Sequence, residues 1–293
     1  MIRSFLLAAC LITPCLAAPP AAPKVRPQML VSTAWLAEHL KDPDLVLLHV
    51  ADGFADYKRG HIPGARYLAT AKFIDNTGAL GSELPSVETL TRTFTELGLT
   101  EKSRVVIYAT AWMPNAARAY LTLDYLGWGE RAALLDGGVE QWLAEDRPVT
   151  NQVAATRPGA FTPHMQPAVI AALDDVKQVV VSEPASATCQ VVDARPSRRY
   201  QAGHLGGATN LYWMETLASE EHPTFLPPDK LQELLASRGL LPGKKVITYC
   251  EVGLQASHAY FLFKYLGFDV AMFDGSYQAW TAAKLPVASG TAK

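Results

Sequence analysis

The feature that most constrains this chain is a repeat inside it. Tyr57-Lys58-Arg59-Gly60-His61-Ile62-Pro63-Gly64-Ala65 returns as Tyr200-Gln201-Ala202-Gly203-His204-Leu205-Gly206-Gly207-Ala208. Val105-Val106-Ile107-Tyr108 returns as Val246-Ile247-Thr248-Tyr249, and Tyr125-Leu126-Gly127-Trp128 as Tyr265-Leu266-Gly267-Phe268. Leu135-Asp136-Gly137-Gly138 with Trp142 returns as Phe273-Asp274-Gly275-Ser276 with Trp280. Four matches in one order at nearly constant separation describe a duplicated unit. A chain of 293 residues also exceeds the size at which one core stops growing. Two domains are therefore expected, over 28–150 and 165–290, joined by a linker over 151–164 that holds Pro158 and Pro163 without clear periodicity.

Within each copy, short apolar runs alternate with helical patterns. In the second copy, Gln190 to Ala194 and Lys245 to Tyr249 have the continuous character of strands buried on both faces. Between them Asp229 to Ser237 carries helical spacing after Pro227-Pro228, with Gly239 placed to end it. Ala256 to Tyr265 reads as another helix, closed by Gly267. This alternation predicts an α/β fold in which each domain is a parallel sheet flanked by helices on both faces.

The N-terminus reads as a targeting segment. Met1-Ile2-Arg3 is a short positive start, Phe5 to Ile12 an apolar run, and Cys15-Leu16-Ala17 offers small residues for cleavage. A signal peptide over 1–17 and a flexible leader over 18–27 are expected, and with them a periplasmic or secreted protein. Leu7-Ala8-Ala9-Cys10 also fits a lipoprotein box, ranked second because its apolar stretch is so short. No later run reaches the ~18 apolar residues of a membrane span. With 26 basic and 28 acidic side chains and no basic stripe, nucleic acid is a poor partner.

After cleavage the chain keeps Cys189 and Cys250. Two cysteines make no disulfide framework, and no Cys/His spacing resembles a zinc site, so no metal is expected. Cys189 precedes its strand and Cys250 follows its own. In parallel strands this puts the thiols at opposite ends, roughly five residues at ~3.3 Å each apart. Cys189 is read as packing. Cys250 ends a strand and opens the loop Cys250-Glu251-Val252-Gly253-Leu254-Gln255 before a helix near Ala256. A tight strand-to-helix loop turns backbone N–H groups inward, which favours the nucleophilic thiolate. The crevice beyond the carboxyl ends of parallel strands is also where ligands sit. The plainer alternative is a small buried hydrophobe. Arg195 and Arg199 fall on the same rim, where forked guanidinium donors suit a carboxylate or sulfonate; the alternative for them is a structural ion pair or a solvated charge. His61 and His204 lie in the repeated Gly-His turn with or without a cysteine and read as structural.

Asp193-Ala194-Arg195, Arg199-Tyr200, Gly203-His204, Cys250 at a strand end, then Asp274-Gly275 and Trp280, form an ordered set that resembles the tandem-domain rhodaneses. That family includes the thiosulfate and 3-mercaptopyruvate sulfurtransferases, and the likeness covers nearly the whole mature chain. It implies a Cys250 persulfide cycle without cofactor, in which Arg195 and Arg199 help hold a small anionic sulfur donor and the acceptor is a thiol or cyanide. A protein sulfur acceptor is a further possibility. The first copy has Thr110 where the second has Cys250, and His49-Val50-Ala51 against Asp193-Ala194-Arg195, so only the second is expected to be catalytic. The loop departs from both enzyme types. Glu251 stands where thiosulfate enzymes usually carry basic residues, and Val252 where mercaptopyruvate enzymes carry Ser or Thr. Thiosulfate is the favoured donor on the strength of the two arginines; 3-mercaptopyruvate, or a partner-fed sulfur carrier with little turnover on free thiosulfate, are the alternatives. A phosphatase-type loop would need an arginine at position 256, which is Ala256.

Overall fold

The computed structural model describes residues 24–110, 112–181 and 188–291; the expected signal segment, Cys10 and the leader as far as residue 23 lie outside them. In the first domain, strands β1 (Leu30–Val31), β2 (Leu45–Ala51), β3 (Arg66–Ala69), β4 (Arg104–Ala109) and β5 (Ala132–Leu135) form a parallel sheet in the order β1-β5-β4-β2-β3. Helices α1 (Thr33–His39), α2 (Phe54–Arg59), α3 (Val87–Glu96), α4 (Met113–Tyr125) and α5 (Gly138–Ala144) alternate with them. The second domain repeats the plan with β6 (Cys189–Asp193), β7 (Thr209–Asn210), β8 (Lys245–Tyr249) and β9 (Val270–Met272), all parallel in the order β7-β6-β8-β9. Its helices are α6 (Leu173–Val181), α7 (Ser197–Ala202), α8 (Pro228–Ser237), α9 (Leu254–Tyr265) and α10 (Ser276–Ala282).

The central strands β2, β4 and β8 are buried along nearly their whole length, which is why they read as unbroken apolar runs. The repeated Gly-His turn is structural in both copies. His61 Nδ1 lies 2.8 Å from the Tyr57 carbonyl and its ring stacks on Tyr57; His204 makes the same pair with Tyr200 at 2.9 Å. Trp142 and Trp280, both fully buried, each donate Nε1–H to a proline carbonyl, of Pro148 and Pro286.

The two domains share one core. Helices α4 and α9 pack on each other, and both are buried almost all round, as a helix must be when apolar on every side. Tyr120 meets Phe261 edge-to-face at 4.9 Å, and Tyr260 and Lys264 both reach Asp124. Each domain also reaches into the other. The Asp274 carboxylate accepts from Leu84 N–H at 2.9 Å, and its repeat counterpart Asp136 accepts from Phe225 N–H at 2.8 Å.

One expectation changes, that for the leader. The linker lacks regular elements over its expected span and is strapped to the first domain: Ala154 N–H donates to Tyr57 Oη, Gly159 N–H to the Thr95 carbonyl and His164 N–H to that of Leu126. The leader, expected to be flexible to residue 27, is laid on the second domain from Lys24 onward. Arg26 N–H donates to the Tyr265 carbonyl at 2.8 Å, and any side chain at Gly267 would strike the Lys24 backbone. Glycine at 267, with φ near +86°, thus both ends α9 and admits this segment.

Candidate active site

Cys250 lies just past the carboxyl end of β8 and is 1% exposed. Its loop is shorter than the sequence suggests. Gly253 caps α9 at φ +91°, so the helix starts at Leu254 rather than Ala256. The Gly253 amide points at Cys250 Sγ from 3.1 Å. A Cβ at Gly253 would stand 2.9 Å from the Asp274 carbonyl and 3.3 Å from Arg118 Nη1, so both the backbone angle and the space demand glycine. The start of α10 fixes the loop from below. Tyr277 and Gln278 donate their N–H groups to the carbonyls of Cys250 and Glu251, and Cys250 N–H donates to Ser276 Oγ at 3.2 Å. Ser276 sits at φ +51°, a left-handed angle that its counterpart Gly138 takes without a side chain. The hydroxyl that anchors Cys250 is therefore held on a strained backbone.

Burial works against the expected thiolate in the resting site. Burial pushes the Cys250 thiol above its ordinary value, more than the amides of Ala256, Val252 and Gly253 draw it down, and Asp193 adds to the rise. The loop does form an anion nest, but desolvation outweighs it until negative charge arrives on sulfur. The sign gives a prediction. Alkylation of Cys250 by neutral iodoacetamide is expected to keep rising above pH 9, because the raised thiol still holds its proton there. A plateau below pH 8 in a pH–rate series read by mass spectrometry of the labelled peptide would refute this.

A cavity of about 240 Å³ opens over the sulfur, walled by Arg195, Pro196, Arg199, the loop residues Glu251, Val252, Leu254 and Gln255, and Trp112 of the first domain. All the expected site residues except Gly253 thus line one pocket, and Gly253 lies beneath it. The two arginines differ. Arg199 is exposed at the mouth and makes no ion pair among the described residues. Arg195 is buried and committed. Its Nε and Nη2 donate to Asp193, Nη2 also to the Gly203 carbonyl, and Nη1 to Glu251 Oε2 at 3.1 Å. Its guanidinium also lies over the Tyr277 ring at 4.0 Å. Burial works against its charge, yet Asp193 and Glu251 hold that charge firmly in place. Glu251, 48% exposed along its side chain, is thus paired rather than opposed to an empty pocket.

Several functional residues were not found in the sequence. Arg118 on α4 is wholly buried beneath the loop, with Nη1 2.5 Å from Asp274 Oδ1 and Nη2 2.5 Å from the Ser82 carbonyl. The segment around Ser82 closes the site from the first domain: Gly81 N–H donates to Gln278 Oε1 at 2.8 Å. These contacts cross the domain boundary, so no local pattern announces them. Comparing Gly137-Gly138 with Gly275-Ser276 could have singled out Ser276. In the first domain the corresponding place holds Thr110, hydrogen-bonded to His49 Nε2 at 2.6 Å, and burial lowers that histidine to about 4. His49 pairs with Tyr108 across the strands as Asp193 does with Tyr249. Cys189 packs in the core at the far end of β6, and both cysteines are free.

The model of the rhodanese-like domain matches residues 32–145 and again 176–283. The sulfur carrier protein TtuD of Thermus thermophilus is 29% identical over 284 residues, 90% of this chain and 98% of that protein. The 3-mercaptopyruvate sulfurtransferase of Escherichia coli K12 is 29% identical over 279 residues, 88% of this chain and 96% of its own. The crystal structure of SseA from Escherichia coli superposes with a TM-score of 0.75 at 27% identity, covering 85% of this chain and 98% of that one. The chain belongs to the rhodanese-like family, with two copies of the domain in tandem and a cysteine at the strand end of the second alone.

Proposed function

We propose that this protein is a sulfurtransferase whose Cys250 carries sulfane sulfur from a small anionic donor to a thiol or cyanide. The observation that carries the reading is the setting of that sulfur: a buried strand-end cysteine facing a loop amide at 3.1 Å, under a pocket with Arg199 at its mouth. With thiosulfate as donor, Cys250 gives up its proton to solvent and the resulting thiolate attacks the outer sulfur. The S–S bond of the donor breaks, sulfite leaves with the electron pair, and a persulfide remains on Cys250. An acceptor thiolate or cyanide then attacks the outer sulfur of the persulfide, and Cys250 departs as thiolate with the bonding pair. Electrons balance without metal or organic cofactor. The amides that fail to ionise the resting thiol stabilise the anionic sulfur in both steps. The N-terminal pattern supports action outside the cytoplasm, after removal of residues 1–17.

The deciding measurement is the intact mass of the mature protein after incubation with thiosulfate and, separately, with 3-mercaptopyruvate. A gain of one sulfur atom, discharged by cyanide, supports the cycle and names the donor. No gain with either removes the reading.

Glu251 favours a second reading, a carrier loaded by a partner protein, since its carboxylate faces an incoming dianion and occupies Arg195. Two unit charges at 4 Å interact by about 1 kcal/mol in water. Glu251→Gln keeps an acceptor for Arg195 while removing the charge. It is expected to raise kcat/KM for thiosulfate about 5–10-fold, less at high salt, as read in a cyanide assay. An unchanged value would free Glu251 of any part in donor choice.

A further inference from the structure

A cavity larger than the one over Cys250 lies in the first domain. About 670 Å³ opens at the carboxyl ends of β4 and β5 in the first domain, where that domain would carry its own site had it kept a cysteine. Tyr108, Ala109, Leu134 and Leu135 form its floor, Met113 and Ala116 of α4 one side, and Trp213, Met214 and Leu217 of the second domain close it from above. Its size falls in the range of small-molecule sites, and its lining is largely apolar and aromatic. Among its described lining the charged residues are Glu140, itself already partnered, and the exposed Glu220, so the lining offers an anion no cation. Trp112 lines this cavity and also the pocket over Cys250, so the two adjoin at that side chain. The smaller pocket, with Arg199 at its mouth, fits an anionic donor; the larger has no such cation among its described lining.

We propose that this cavity seats the sulfur acceptor, a small thiol with a flat apolar body that is uncharged or cationic, whose sulfur reaches Cys250 past Trp112. The inference rests on the persulfide reading above. The thiol sulfur of the seated molecule attacks the outer sulfur of the Cys250 persulfide as its proton passes to the departing Cys250 sulfur. The new S–S bond forms on the acceptor, the old one breaks, and Cys250 leaves with the bonding pair and that proton as a thiol, so the acceptor departs as a persulfide and no outside oxidant is needed. A duplicated domain that lost its nucleophile would then keep its crevice as a holding site for the second substrate.

The test uses the mature protein and two cavity-filling variants from opposite walls, Ala116→Leu and Leu217→Trp. Steady-state transfer from the donor that loads Cys250 is measured to phenylmethanethiol and to cyanide, an acceptor too small to need the cavity. Both variants are expected to raise KM for phenylmethanethiol at least about 10-fold, leaving cyanide turnover within about twofold. The cyanide arm also shows that each variant is folded. Calorimetry with non-reacting bodies provides the second arm: tryptamine is expected to bind the wild type and not the filled variants, and indole-3-acetate is expected to bind neither. Equal effects on both acceptors, or indole-3-acetate binding as well as tryptamine, would overturn the proposal. If Cys250 never gains sulfur, the acceptor role falls with the persulfide reading; if it gains sulfur but the filled variants use phenylmethanethiol normally, the acceptor cavity alone is refuted.

Discussion

Replacing Cys250 with serine is expected to lower sulfur transfer at least about 10³-fold and to abolish the mass gain with any donor, while the protein stays folded. The serine hydroxyl can accept from the Gly253 amide, as Sγ does at 3.1 Å, and it fits the same buried space. Its proton is held far more tightly than a thiol's, and an oxygen cannot form the disulfide-type bond that makes a persulfide a good sulfur donor. The other thiol gives no escape. Cys189 begins the strand whose far end adjoins the site, and it faces the core. Residual activity above about a tenth of wild type, in a discontinuous thiocyanate assay, would mean that sulfur travels by another route. A matched Cys189→Ser variant is expected to retain full activity.

The second large effect concerns a residue far from any motif. Arg118→Met is expected to destabilise the protein by about 3–5 kcal/mol, since it leaves the Asp274 carboxylate buried without its cation. The ion pair joins the domains and lies against Gly253, so the loss should appear in two places at once. The midpoint of guanidinium unfolding should fall, and sulfur transfer at temperatures where the variant remains folded should fall with it. Arg118→Met/Asp274→Asn, which removes both charges and keeps an acceptor for Leu84 N–H, is expected to regain at least about 1 kcal/mol. Strict additivity of the two substitutions would show that the pair is not coupled.

The sequence made the architecture legible because the repeat lies on the surface of the text: paired turns, paired strands, paired Trp anchors. Strand β8 ends where its apolar run ends, and Cys250 follows it as read. The loop was misjudged by two residues for a physical reason. Gly253 caps α9 by a left-handed angle and no Ser, Thr, Asp or Asn supplies the usual cap, so the start of the helix carries no written signal. The opposing pull of burial on Cys250 is not legible, because a nest can be inferred from a strand–loop–helix pattern while burial cannot. Arg195 was placed on the right wall, but its commitments to Asp193, Gly203 and Glu251 depend on three separate elements meeting. The contributions of Arg118, Trp112 and Gly81 depend on how two domains face each other, which a single chain of letters does not state.

The exchange of hydrogen bonds between Asp136 and Phe225, and between Asp274 and Leu84, has a kinetic meaning. A double-displacement catalyst must admit one molecule, release its remnant and admit another in every cycle. Here the two halves clasp each other at both ends of a shared core, so a hinge that parted them would break both clasps and the Arg118 pair together. Traffic must therefore run through fixed portals in a closed body. Turnover should then be governed by the width of those portals and the side chains that gate them, Arg199 and Trp112, rather than by any breathing of one half against the other.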